Sequence, residues 1–276
     1  MNPPNSIRPP AVAGAFYPLD ARELQDQIHT MLATAAREQA NLDSHVAGSI
    51  KALIVPHAGY PYSGPVAARA YHALASRSTA IRRVVLLGPT HRVPVRGLAL
   101  PSCQALATPL GTVPVDTPSR TLLAGLPQVV ENDASHALEH SLEVQLPFLQ
   151  TLLRDFTLVP LAVGQATPEE VAEVLEHLWG GDETLILISS DLTHFLPYEL
   201  AQAEDKETVA QMLRLAAHID HQHACGATPV NGLLLAARRH GLRPQLLDLR
   251  NSGDTEGDPS RVVGYAALAF RVPHVI

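Results

Sequence analysis

Residues 184–194 read TLILISSDLTH, an apolar run that turns abruptly polar. A short apolar run without alternation reads as a strand buried on both faces, the kind that builds parallel sheets. Two other stretches end the same way. KALIVPHAGY (51–60) runs from an apolar strand into His57 and Tyr60, and RVVLLGPTH (83–91) runs from another into His91. In open α/β sheets, ligands bind beyond the carboxyl ends of the strands. Parallel neighbours lie about 4.8 Å apart, so His57, His91, Asp191 and His194 are expected to converge on one pocket. One histidine after a strand is usually a packing residue. Three strands with the same ending point to a site.

Around these strands the pattern is helical. Asp20 followed by Glu23 matches a capping box. It opens an amphipathic helix from Ala21 to about Ala40, with Leu24, Ile28, Met31, Leu32 and Ala35 on one face. Asn41 to Ser49 reads as a polar connector. Further helices are expected at about Val66–Ser76, Leu138–Leu153, Pro168–Trp179, Glu199–Ala217 and Val230–His240. Other strands are expected at Thr157–Val163, Gln245–Leu249 and Val262–Phe270, and Leu98–Leu100 with Thr108–Val115 suggests a meander or hairpin. Strands alternating with helices predict an α/β fold, a mainly parallel mixed sheet flanked by helices on both faces. No linker or internal repeat divides the 276 residues. The reading is a single domain over 1–276, with 1–19 as an extended, proline-rich N-terminal arm packed on it.

Composition narrows the function. A hydrophobic share of 46% with 17% charged residues excludes a disordered chain. A net charge of -7 and the lack of a basic stripe argue against a nucleic-acid partner. The two cysteines, Cys103 and Cys225, are too few for a disulfide framework. The start, MNPPNSIRPP, has no apolar core of a secretory leader, and no charge-free run of about 18 apolar residues is present. The expectation is a cytoplasmic protein without a membrane partner.

Two more segments carry candidates. Cys225 sits in HQHACGATP (221–229), a histidine-rich loop between helical segments. His140 and Glu143 lie three apart in EHSLEVQ (139–145), on one face if the segment is helical. The positive end of a helix dipole explains the glutamates there but not His140.

On these residues the sequence resembles the Memo family, called protein B of the AmmeMemoRadiSam system in bacteria. The matching pieces are AGAFYP (13–18), PHAGYPYSG (56–64), GPTH (88–91), TPLGTVPVD (108–116), EHSLEVQLPF (139–148), SSDLTHF (189–195), ACG (224–226), NSGDTEGD (251–258) and VVGYAALAF (262–270). They run in order along almost the whole chain. Arg92 stands where many members have a second histidine, and Thr193 and Phe195 replace the usual Ser and Tyr. The family is similar in fold to class III extradiol dioxygenases, which are non-haem iron enzymes.

The resemblance implies that His57, His91 and Cys225 hold one metal ion. It implies that His194 moves protons with Asp191 beside it, and that His140 and Tyr60 meet the substrate. Asp191 is the alternative third ligand. Two imidazoles and a thiolate leave a coordination position open, as in catalytic sites. Such a set favours iron or copper, with zinc an alternative. The implied function is a metal-dependent, dioxygenase-like oxidoreductase acting on an unknown small molecule or peptide. The alternatives are a metal- or peptide-binding module and a zinc-dependent hydrolase. The system's name suggests radical SAM and AMMECR-type partners.

Overall fold

A computed structural model describes residues 6–40 and 48–273. The chain opens with β1 (Ile7–Arg8), α1 (Ala21–Ala40), β2 (Ser49–Val55), α2 (Tyr60–Ala73) and β3 (Arg83–Pro89). A stretch of short elements follows: β4 (Leu98–Leu100), β5 (Ala105–Thr108), β6 (Gly111–Pro114), α3 (Thr117–Leu123), β7 (Val129–Glu131) and α4 (Ala134–Ala137). Then come α5 (Leu146–Leu152), β8 (Thr157–Val163), α6 (Pro168–Leu178), β9 (Thr184–Ser189) and β10 (His194–Leu196). The last elements are α7 (Tyr198–Leu213), α8 (Ala227–Arg239), β11 (Arg243–Asn251) and β12 (Val262–Val272).

The main sheet has the order β10-β12-β2-β9-β3-β8-β4-β7, with β11 paired to β12. Its centre, β2-β9-β3-β8, is parallel. Antiparallel β12 and β4 flank that centre. The fold is α/β with a mixed sheet and helices on both faces, as the alternation of strands and helices predicts.

Side chains along a strand alternate between faces, and here both faces are core. Leu53, Val84, Leu86, Leu185 and Leu187 pack with Leu24, Ile28, Tyr71 and Phe148 of α1, α2 and α5. Ile54, Val85, Ile186 and Ile188 pack with Val171, Leu175, Val230 and Leu234 of α6 and α8. Each such fully buried side chain contributes about 1.5–3 kcal/mol. A one-residue slip would send every side chain to the opposite face. The register is therefore firmly set, and with it the face on which His57 and Ser189, two residues past Val55 and Leu187, emerge.

Three expectations are corrected. Leu138–Leu153 is not one helix: Glu143–Gln145 is a 3-10 turn and α5 begins at Leu146. The Glu139 carboxylate accepts the N–H groups of His140 and Ser141, at 2.9 and 3.0 Å. Pro147, which has no N–H, falls where a through-running helix would need one. Second, α2 starts at Tyr60 rather than Val66 and carries Pro65 inside it. The bond Pro65 forgoes would reach Pro61, in the first turn, so the loss stays at the helix end. Third, the described part of the N-terminal arm is more than extended chain. β1 pairs in parallel with β5, and Ala13 bridges to Tyr17. The connector expected from Asn41 falls mostly on 41–47, outside the described residues. Among the described residues no helix is long and apolar enough to cross a membrane.

Candidate metal centre

His57 leaves the end of β2 fixed at two points, its backbone and its ring. Its backbone N–H donates to Asp191 Oδ1 at 2.7 Å. Its Nδ1 lies 2.9 Å from Ser189 Oγ, at the end of neighbouring β9. The Ser189 hydroxyl donates its proton to the Ser141 carbonyl at 2.6 Å, and its oxygen accepts from Gln145 Nε2 at 2.9 Å. With its proton spent, Ser189 can only accept from the ring, so Nδ1 carries hydrogen and Nε2 is a bare lone pair. The ring is fully buried. Burial, partly opposed by the Asp191 carboxylate, pushes its pKa down to about 4. A neutral imidazole with a bare Nε2 is a ready metal ligand.

The segment Glu139–Gln145 crosses the strand ends as a strap. Ser141 Oγ donates to Pro89 O at the end of β3 (2.8 Å), and Gln145 Nε2 donates to Pro56 O after β2 (2.9 Å). Glu139 grips His91 twice, accepting from its backbone N–H at 2.6 Å and facing its Nδ1 at 2.9 Å. The same carboxylate lies 3.2 Å from His140 Nδ1. Glu139 is buried. Burial alone would raise its pKa, but the hydrogen bonds of His140 and His91 outweigh that and hold the carboxyl well below the usual range. An ionised carboxylate on Nδ1 leaves Nε2 of both rings free, the arrangement that orients metal-binding histidines.

His57, His91 and His140 each offer a ligand atom within 4.8 Å of the other two. The ring centroids are 5.2 Å apart for His57–His91, 5.4 Å for His57–His140 and 4.5 Å for His91–His140. His140, expected as a substrate contact, therefore stands beside the two expected ligands. Cys225 is outside the mutual 4.8 Å group but abuts it, its Sγ 3.3 Å from His57 Nε2. Sγ also accepts from the Asp191 N–H at 3.3 Å. Burial, reinforced by Asp191, pushes the Cys225 thiol up to about 12, so the S–H donates to the bare nitrogen.

The remaining expected residues lie around this centre. After β9 the chain crosses the end of β2: Ser190 N–H donates to Val55 O, and Leu192 N–H donates to Gly264 O of β12. That crossing places Asp191 Oδ2 4.0 Å from His57 Nε2. His194 lies further on, in β10, its Nδ1–H donating to Leu192 O at 2.9 Å. Among the described residues it makes no hydrogen bond or ring contact with the three histidines. Tyr60 is buried and its hydroxyl donates to Val144 O at 2.9 Å. It therefore supports the strap from below, a correction to its expected contact with substrate. Glu139, Ser189 and Gln145 are the residues sequence reading missed. A cleft of about 610 Å³ opens from His91 and Cys225 past Thr228 and Gln165 to the exposed Arg96–Glu170 pair.

This is an α/β protein with a three-histidine group at the carboxyl edge of a mixed sheet, backed by a buried carboxylate. Residues 8–269 match the family model described as Memo-like protein. The chain belongs to the Memo family. It is 37% identical to a MEMO1 family protein of Ignicoccus hospitalis, over 97% of this chain and 99% of that one. It is 36% identical to one of Methanopyrus kandleri (96% and 99% covered) and 35% identical to one of Aquifex aeolicus (96% and 99%). In fold it is similar to the crystal structure of uncharacterized protein JW3007 from Escherichia coli K12. That match has a TM-score of 0.50 at 15% identity and covers 79% of this chain and 99% of the other.

Proposed function

We propose that this protein binds one transition-metal ion on His57, His91 and His140, with Cys225 as a further donor, and uses it as an oxidoreductase on a small substrate. The observation that carries the reading is the three imidazoles within 4.8 Å of one another. Two of them have Nδ1 engaged by Ser189 and Glu139, so their Nε2 lone pairs are aimed and bare. Bound there, the metal supplies a Lewis-acidic centre capable of electron transfer, and imidazole with thiolate favours iron or copper. The protein's own part is positioning. Asp191 and Ser189 fix the His57 ring. Glu139 fixes the other two. The cleft beside His91 and Cys225 gives a substrate room. His194, whose Nδ1–H is held by Leu192 O, presents Nε2 as an acceptor, and we assign it the proton transfer.

Elemental analysis of natively purified protein should find about one iron or copper per chain, lost in His57→Ala. The loaded protein should then consume O₂ with a reductant and a small aromatic substrate. His194→Ala should slow turnover about 10²–10⁴-fold with metal content unchanged. Three imidazoles also suit hydrolytic zinc. Zinc as the sole native metal would favour that second reading.

A further inference from the structure

The N-terminal arm meets the strap at a buried ion pair more than a hundred residues away in sequence. Arg8 Nη1 donates to Glu143 Oε2, both groups being buried. The other nitrogens of the same guanidinium donate to backbone carbonyls: Nε to His136 O at 2.9 Å and Nη2 to Glu139 O at 2.7 Å. Glu143 is filled in turn by the arm. Its Oε2 accepts from Ala11 N–H at 2.8 Å, and its Oε1 accepts from Val12 N–H at 2.9 Å and from the Tyr17 hydroxyl at 2.7 Å. The arm then reaches the centre itself, where the Phe16 ring lies 4.8 Å from the His140 ring. Phe16 O accepts the Tyr60 N–H at 2.8 Å.

The clamped carbonyls place the consequence. Arg8 holds the chain at His136 and at Glu139, the residue whose carboxylate orients His91 and His140. Glu143 anchors the strap on the far side of His140. His140 therefore sits between two fixed points, both supplied by the arm. Among the described residues the Arg8 and Glu143 side chains hydrogen-bond no imidazole of the group, and Glu143 is not among the groups that could share its ion.

We propose that Arg8, Tyr17 and Glu143 are positioning residues that set the metal affinity of the centre by holding the Glu139–His140 segment against His57 and His91. The proposal rests on the metal-site reading above, and it predicts more than lost stability. Partners behind metal ligands typically change affinity 10–100-fold when removed.

The test uses Co²⁺ as the probe, titrated in competition with a chelator and followed by its visible d–d spectrum. Arg8→Gln and Glu143→Gln should bind Co²⁺ about 10–100-fold more weakly, with a shifted spectrum, at a temperature where both are folded by near-ultraviolet circular dichroism. Tyr17→Phe, which removes one hydroxyl only, should give a smaller shift in the same direction and covers the case in which the charge variants fail to fold. Arg8→Lys should not restore affinity, because an ammonium cannot serve the same three acceptors in a planar fork. Lys51→Met is the control. Its ammonium donates to Trp179, Gly181 and Thr184 carbonyls at the other end of the sheet, so it should destabilise the fold and leave Co²⁺ affinity unchanged. The proposal is overturned if Arg8→Gln or, should that not fold, Tyr17→Phe keeps the wild-type affinity and spectrum. It is overturned equally if Lys51→Met weakens Co²⁺ as much as they do. Failure of the wild type to bind Co²⁺ at all would overturn the metal-site reading first.

Discussion

β2, β3 and β9 bring His57, His91 and Ser189 to one edge, whereas the strap Glu139–Gln145 brings His140 together with the carboxylate and amide that orient them. The strands are placed by burial: their residues alternate between two cores, and strand pairing fixes the spacing of their ends. The strap is placed by polar groups. Glu139, Ser141, Glu143 and Gln145 are all buried, and each is bonded to a segment distant in sequence. Buried polar groups cost little when satisfied and about 1–3 kcal/mol each when stranded. The strand edge should therefore tolerate modest change, and the strap should not.

The largest effect concerns acid. Each region buries one neutral imidazole near the centre, His57 at a strand end and His136 in α4 just before the strap. Burial pushes both down to about 4; for His136 the opposing influence is its Nε2–H bond to Ala99 O, 2.8 Å long. Their unfolded pKa is about 6.5. As pH falls from 6.5 to 4 the unfolded chain therefore takes up protons before the folded one, and stability falls. Asp205, which burial pushes up to about 6, acts in the other sense, since below pH 6 the folded chain protonates it first. Each histidine amounts to about 3 kcal/mol across the window, and Asp205 cancels roughly one of them. Urea unfolding of the metal-free protein should show a net loss of about 3 kcal/mol. His136→Gln and His57→Gln should each remove most of it. Identical pH slopes in all three proteins would refute the claim that both regions bury a neutral ring.

Ligand orientation separates the regions next. Glu139→Gln keeps the shape of the side chain but loses the charge that receives His91 and His140, and its amide must face some of the N–H donors. Metal affinity should fall about 10–100-fold. Ser189→Ala frees Nδ1 of His57 but leaves the ring packed and held through its backbone by Asp191. It should cost nearer tenfold, at the low end of that range. A serine variant weaker than the glutamate variant in a chelator competition assay would put the strand edge, not the strap, in control.

The same contrast explains what the sequence disclosed. TLILIS, RVVLL and KALIV read as strands whose starts match the observed ones to within two residues, because an uninterrupted apolar run has few places to go except a doubly covered sheet. Their shared ending points to His57, His91, Asp191 and His194 at one edge; the first three are found together there, whereas His194 lies further on in β10 and bonds Leu192 O instead. EHSLEVQ offered no such rule. Leu142, Leu146 and Leu149 fit a helical period, and Glu139 looked like a dipole partner. Its actual role, holding two imidazoles and its own two following N–H groups, depends on contacts 48 residues away. Arg8 pairs with Glu143 across 135 residues, a distance over which local pattern carries no information.

Proton release sharpens the roles of Cys225 and His140. Burial and Asp191 hold the free thiol up to about 12, and a ligating thiol must give up its proton. If Cys225 ligates, one proton leaves with each metal bound, and affinity should rise about tenfold per pH unit between pH 7 and 9. Cys225→Ser should flatten the line. A flat wild-type line would leave the three imidazoles as the whole protein donor set.

The smallest expected effect places one methyl group on each side of the comparison. Gly88 is the penultimate residue of β3, directly under the strap, where a Cβ would lie 2.8 Å from Ser141 Oγ and 3.0 Å from Leu142 Cδ2. Ser141 cannot swing away without giving up its bond to Pro89 O, 2.8 Å long. Gly88→Ala should therefore cost about 1–3 kcal/mol by overpacking and push the strap off the histidines, weakening metal binding as well. Gly59 follows His57 by two residues but faces the arm, and its Cβ would meet nothing nearer than Phe16 O at 3.6 Å. Its φ of -56° suits alanine, so Gly59→Ala should stay within about 1 kcal/mol of the wild type and bind metal normally. Both glycines closely follow an apolar run, KALIV or RVVLL, and nothing in their immediate sequence tells them apart. If thermal unfolding and metal titration find the two substitutions equivalent, the strap yields as readily as the open edge, and the rigidity assigned to its polar contacts is absent.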